Sequence, residues 1–147
     1  MPAKKSKRAP RASRKKSTLV HGFHEIVIPC DLFAYDVVVI FGPYEKLKGY
    51  FTAVYNSEQH VPDFHAPKGI PRGLSVSHDK YPVTIWMPRM PRTAREISTL
   101  AHEAVHATYV IMEHVGIEMN GTTDEIWART LGHIVHKVLE RAGGAKS

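Results

Sequence analysis

The sequence predicts an α+β domain in which a small mixed sheet packs on one long helix and a following C-terminal helix, preceded by a basic N-terminal arm. Three observations predict it. Apolar residues recur with helical spacing over residues 94–115 and again over 124–141. Short β-branched and aromatic runs lie upstream of both, at Glu25–Pro29, Val37–Phe41 and Val83–Met87. The first 17 residues carry many cations and no acid.

The arm is read as residues 1–19 and the folded domain as residues 20–147. Lys4, Lys5, Lys7, Arg8, Arg11, Arg14, Lys15 and Lys16 supply eight positive charges, so a chain of net charge +6 leaves −2 for everything else. Such a run cannot bury a core and is expected to be disordered alone. Its charge density suits a nucleic-acid phosphate backbone or an acidic protein surface, with residues 1–17 as the contact segment. It has no aromatic residue for base stacking, so nucleic-acid binding through it is expected to be nonspecific and salt-sensitive. A solvated tail is the plain alternative. Lys4–Arg8 also resembles a nuclear address, while the lack of large apolar residues argues against a mitochondrial presequence.

The remaining stretch of about 128 residues suffices for one core and is too short for two domains. Cys30 is the single cysteine, which excludes an intramolecular disulfide and reads as a small buried hydrophobe. No apolar run approaches a membrane span and no signal-peptide hydrophobic region follows the basic start. An intracellular protein without a membrane partner is therefore expected.

Within the domain, Glu25–Pro29 reads as a strand, and the unbroken Val-Val-Val-Ile-Phe of residues 37–41 suits a buried central strand. Residues 44–55 are ambiguous between helix and strand because Gly49 interrupts the pattern. Residues 56–73 contain three prolines and two glycines and read as a long irregular loop. Its His60, His65 and Asp63 could bind a second ion, but solvation is the simpler reading. Val83–Met87, bracketed by Pro82 and Pro88, alternates as a strand. Its Thr84 and Trp86 are candidates for contacting an extended peptide, with ordinary packing on a sheet face the alternative for Trp86.

The first helix is expected over residues 94–115. Thr93-Ala94-Arg95-Glu96 forms a capping box, Ile97, Leu100, Ala104, Ala107 and Ile111 continue an apolar stripe, and Gly116 supplies the stop. At its centre lies His102-Glu103-Ala104-Val105-His106. With ten His and nine Glu in 147 residues, shuffling yields about 0.04 copies of this pattern, so the match is informative. On a helix the two imidazoles lie about 40° apart and can share a cation, while Glu103 projects about 100° around, where it could reach a bound water. A hydrolytic zinc site needs a third protein ligand and an open fourth position. After the turn at Asn120-Gly121-Thr122, a second helix opens at Asp124-Glu125 and returns toward the first. Glu125 is the expected third ligand and Asp124 the fallback; alternatively Glu125 closes a capping box with Thr122.

This layout resembles the gluzincin branch of the zincin metallopeptidases, with a histidine pair on one helix and a glutamate on the next; Glu125-Ile126-Trp127-Ala128 resembles the second motif. More narrowly it resembles the small minimal gluzincins encoded by bacteriophages, over residues 83–139. The resemblance implies a minimal zincin-like fold, Zn2+ as cofactor, His102, His106 and Glu125 as its ligands, and Glu103 as general base in peptide-bond hydrolysis. A protein or peptide substrate would pair with an edge strand beside the cleft, the place the resemblance gives to Val83–Met87. An oxyanion donor must come from elsewhere, and Arg129, Tyr109 and His136 are the leading candidates by type and position. His133 and His136 read equally as capped or solvated histidines. Because a fold does not establish turnover, the same resemblance admits a catalytically silent structural protein, associated with other virion proteins or located in the host cytoplasm, whose arm binds nucleic acid or an assembly partner.

Overall fold

Buried side chains at Ile26, Ile28 and Cys30 alternate with less buried neighbours along β2 (Phe23–Cys30), as a strand with one face on a core requires. The computed structural model describes residues 18–57, 61–62, 64 and 69–143. The arm cations at positions 4–16, and His60, Asp63 and His65, lie outside the described residues.

Strand β1 (Thr18–Val20) joins β2 antiparallel through a two-residue turn at His21 and Gly22, both with positive φ, the conformation that matches the twist of a tight hairpin. A strand thus begins inside the segment read from sequence as the end of the arm. A one-turn 3-10 helix (Asp31–Phe33) leads to β3 (Tyr35–Phe41), which pairs with β2 on one side and runs parallel to β5 (Tyr81–Met87) on the other. Its apolar run occupies the central position expected of it. A second 3-10 turn (Tyr44–Lys46) and helix α1 (Leu47–Tyr55) resolve the ambiguous segment as helical, with Gly49 on its exposed side. Strand β4 (Leu74–His78) pairs antiparallel with β5, completing a five-stranded mixed sheet of order β1-β2-β3-β5-β4.

That order corrects the reading of Val83–Met87 as an edge. Both sides of β5 are hydrogen-bonded, and every residue from Val83 to Met87 is buried. Thr84 is 5% exposed and Trp86 fully buried, its indole donating to the Gly42 carbonyl at 3.0 Å and its ring packed edge-on against Tyr44. Neither can meet a peptide. The run is apolar on both faces because helices cover both, which is the signature of an interior strand.

Helices α2 (Ala94–Val115) and α3 (Asp124–Ala142) cover one face, where Ile26, Ile28, Val37, Val39, Val83, Ile85 and Met87 meet Leu100, Ala104, Ala107, Ile111, Ile134 and Val138. Helix α1 covers the other, enclosing Trp86, Ile40, Phe23, Leu47, Tyr50 and Phe51. The chain is therefore an α+β domain with helices on both sides of its sheet. No helix among the described residues is long and apolar enough to cross a membrane.

Helix α2 has the ends its sequence announces. Thr93 Oγ1 accepts from the Glu96 amide and Glu96 accepts from the Thr93 amide, closing the capping box. At the other end Gly116 adopts the left-handed conformation and the Ile117 amide returns to the Met112 carbonyl. Hydrogen bonds from the Arg92 and Thr93 amides and from the Arg89 guanidinium hold the Glu96 carboxyl down to about 2, from an ordinary 4.5. A depressed carboxyl stabilises the fold in its ionised form, so that stabilisation is complete above pH 4.5 and disappears as pH falls toward 2. Glu96→Gln should flatten the stability profile in that window, and Thr93→Ala should cost about 1 kcal/mol by urea unfolding at neutral pH. Equal acid sensitivity of Glu96→Gln and the parent would contradict this role of the carboxylate.

Candidate metal centre

The apolar stripe of α2 sets how the helix is rolled on the sheet. Leu100, Ala104, Ala107 and Ile111 point into the core, which leaves His102 and His106 on the exposed side and Glu103 between, at the flank facing β4. The two imidazoles converge: their rings lie 4.9 Å apart at an interplanar angle of 78°, and the two Nε2 atoms are separated by 3.3 Å. Two nitrogens bound to one tetrahedral zinc at about 2.0–2.1 Å are separated by roughly 3.3–3.4 Å, so the pair already has the spacing of joint ligands. Joint chelation requires both rings as Nδ1–H tautomers, each offering its Nε2 lone pair.

Glu103 is only 7% exposed although it neighbours a solvent-facing histidine. Its cover is the chain entering β4. A Cβ on Gly73 would lie 2.9 Å from Glu103 Cγ and from Thr99 Cγ2, and 3.3 Å from Glu103 Oε1, so only a glycine lets this backbone lie on the carboxylate. Two residues on, Ser75 Oγ donates to the Glu103 carbonyl at 3.0 Å, fastening the edge strand to the helix at the motif. Burial pushes the Glu103 carboxyl above its ordinary value, and the nearby His102 and His106 oppose that push. A carboxyl of raised proton affinity is suited to general-base work.

The second helix meets α2 through aromatics: Tyr109, 57% exposed, packs edge-on to Trp127 at 6.0 Å. The Trp127 indole N–H is buried without a hydrogen-bond partner among the described residues. Glu125 is not gathered with the imidazoles. Its carboxylate pairs with Arg129 one turn on, at 2.7 Å, and lines a cleft of about 580 Å³ with Pro29, Leu32, Phe33 and His133. Among the described residues, no group of three or more His, Cys, Asp or Glu side chains converges as a metal site would require. The capping alternative for Glu125 is absent too. Thr123 is the N-cap, its hydroxyl donates to the Glu118 carbonyl, and the Glu125 amide bonds to Asp124.

The candidate oxyanion donors are dispersed. Arg129 is exposed and paired with Glu125, Tyr109 stands on the exposed side of α2 against Trp127, and His136 is exposed beside Glu140. His133 is structural: its Nε2 lies 3.0 Å from the Pro29 carbonyl, which can only accept, so the ring donates and ties α3 to β2. Sequence reasoning missed Gly73 and Ser75. The alternation in Leu-Ser-Val-Ser-His signals a strand, but nothing local indicates that its lead-in covers a carboxylate.

Gly73→Ala should destabilise the protein by about 1–3 kcal/mol, the usual cost of forcing an extra methyl into a closed contact. The penalty should shrink when Glu103 is also truncated to alanine, because one of the two clashing side chains is then removed; urea unfolding of the four chains measures the coupling. A cost that stays the same in both backgrounds would refute the contact.

Compared with known protein families, curated proteins and solved structures, the chain matches none.

Proposed function

We propose that this chain is a zinc-dependent metallopeptidase-like hydrolase of the minimal gluzincin type, of the small kind encoded by bacteriophages. The observation that carries the reading is the convergence of the His102 and His106 Nε2 atoms to 3.3 Å on an exposed helix face, beside a buried carboxylate of raised proton affinity. His102 and His106 would hold the ion. Glu125 is the proposed third ligand, and to serve it must exchange Arg129 for the metal; Asp124, in the same helical turn, is the fallback.

Bound zinc supplies Lewis acidity, polarising a carbonyl and acidifying a water. The chain's own residues supply the rest. Glu103, desolvated under Gly73, takes a proton and returns it to the leaving amine. Strand β4 is the outer edge of the sheet and is tied to α2 at Glu103, so an extended peptide added to its free side would run past the motif. This role passes to β4 from β5. Arg129, released from Glu125, and Tyr109 on α2 are the donors proposed for the oxyanion.

A second reading is favoured by the Glu125–Arg129 pair. If that ion pair persists, the site is a two-histidine surface without turnover, and the chain is a silent structural or virion-associated protein whose arm engages nucleic acid or an assembly partner.

Purified full-length protein should contain one zinc per chain by elemental analysis. His102→Ala and His106→Ala should each lose it, and Glu125→Ala should weaken it at least tenfold. Glu103→Gln should keep the metal and lower peptide cleavage by a factor of about 100 or more, the range general-base loss produces. Zinc retained in His102→Ala would refute the metal reading, whereas zinc-loaded wild type no faster than Glu103→Gln on a peptide library would leave the silent form.

A further inference from the structure

We propose that the cleft between the Asp31–Phe33 turn and the N-terminal half of α3 binds a small primary amine carried on an apolar body, its ammonium held by Asp31 and Glu125 and its apolar part by Leu32, Phe33 and Ile126. The inference does not rest on the metal reading, although Glu125 figures in both. The cleft has a volume of about 580 Å³, within the ordinary range of small-molecule sites. Leu32 lines it and is nevertheless 81% exposed, on a 3-10 turn that ends in Ala34 at φ 50. That left-handed conformation disfavours any residue with a Cβ, and such strain persists where the surrounding structure fixes the shape of a turn. The turn thus holds an uncovered apolar side chain at a space that an apolar ligand body would fill.

Hydrogen-bonding capacity sets the polar end of the ligand. Thr130 Oγ1 already donates to the Ile126 carbonyl and His133 Nε2 to the Pro29 carbonyl, so the hydroxyl oxygen and, in the neutral ring, Nδ1 are left as acceptors. Asp31 and Glu125 are acceptors by nature. Arg129 is the one fixed cation among the described residues of the lining, and Glu125 engages its guanidinium at 2.7 Å. Two acids therefore face one base. The field at the buried Cys30 has the same sign: burial, then Asp36 and Asp31, push its thiol up to about 12. The positive end of α3 would favour an anion, but Asp124 and Glu125 in the first turn already answer it, the Glu125 amide bonding to Asp124. An acceptor-rich cleft of net negative charge with apolar walls selects a ligand that brings its own donors and its own positive charge.

The test titrates the full-length chain with tryptamine, tryptophol and indolepropionate, three probes of one shape and different charge, and reads binding from backbone amide chemical shifts. A chelator in the buffer prevents an amine–zinc bond from imitating the result, so this site and the metal centre fail or succeed separately. Tryptamine should bind about threefold or more tighter than tryptophol, the scale of exposed charge contacts, and indolepropionate weakest of the three, with shifts gathered on residues 29–33 and 125–133. Asp31→Asn with Glu125→Gln should erase the preference for tryptamine, keep tryptophol binding and, by releasing Arg129, strengthen indolepropionate. Leu32→Ser, a change at an exposed position, should weaken all three by about fivefold. Indolepropionate binding as tightly as tryptamine, shifts centred elsewhere on the domain, no saturable response to tryptamine in the millimolar range, or a preference that survives the Asp31→Asn, Glu125→Gln pair would each overturn the proposal.

Discussion

The roll of α2 on the sheet is the constraint on which the site depends. Burying Leu100, Ala104, Ala107 and Ile111 against the sheet leaves one rotation of the helix about its axis. At about 100° per residue that rotation sends His102 and His106 away from the core and Glu103 toward β4. A shift of one residue in the stripe would either bury His106 together with Glu103 or turn the carboxylate outward. The capping box at Thr93 and the left-handed Gly116 fix the helix ends, so the motif sits in the rigid middle, where rotamers are held by neighbouring turns. The geometry of the histidine pair is in this sense a by-product of apolar packing on the opposite face.

Glu103 is a carboxylate buried at a cost. A buried, partly desolvated acid opposes folding, and its burial here comes from a backbone segment pressed onto it. Gly73 and the Ser75 hydrogen bond keep the edge strand on the helix at that one place. A structural role alone would be served as well by an apolar side chain of similar size. An acid beneath a glycine and beside two imidazoles is the arrangement on which the proposed proton-transfer role rests.

Much of this was legible in the chain. Both ends of α2, the start of α3 and the central place of Val37–Phe41 follow from local chemistry: a capping box, a glycine stop, a turn before an acidic first helical turn, an unbroken β-branched run. What failed was non-local. Val83–Met87 took its edge place from the resemblance alone, since strand order depends on which runs pair across the sheet and no pattern within residues 83–87 reveals it. The alternation of β4 marks a strand, but nothing local marks it as the edge that covers Glu103. The partner of Glu125 was illegible for a similar reason. Arg129 at i+4 competes for it along the helix surface, and no periodicity reveals whether a carboxylate prefers a cation on its own helix or a ligand set on the next.

The ion pair and the sheet order together bear on how the two halves of the molecule can act. An exposed i,i+4 pair is worth only a few tenths of a kcal/mol, so Arg129 holds Glu125 weakly and a divalent cation would outcompete it at modest affinity. Glu125 itself lines the cleft with Pro29, Leu32 and Phe33 and is not gathered with the imidazoles. The arm root at β1 and the Glu103 cover at β4 occupy opposite edges of the sheet. Four interstrand spacings of about 4.8 Å put roughly 19 Å of sheet between them. That exceeds the Debye length of about 8 Å at physiological salt, so a polyanion held at the β1 edge would leave the electrostatics of the histidine pair largely unaltered.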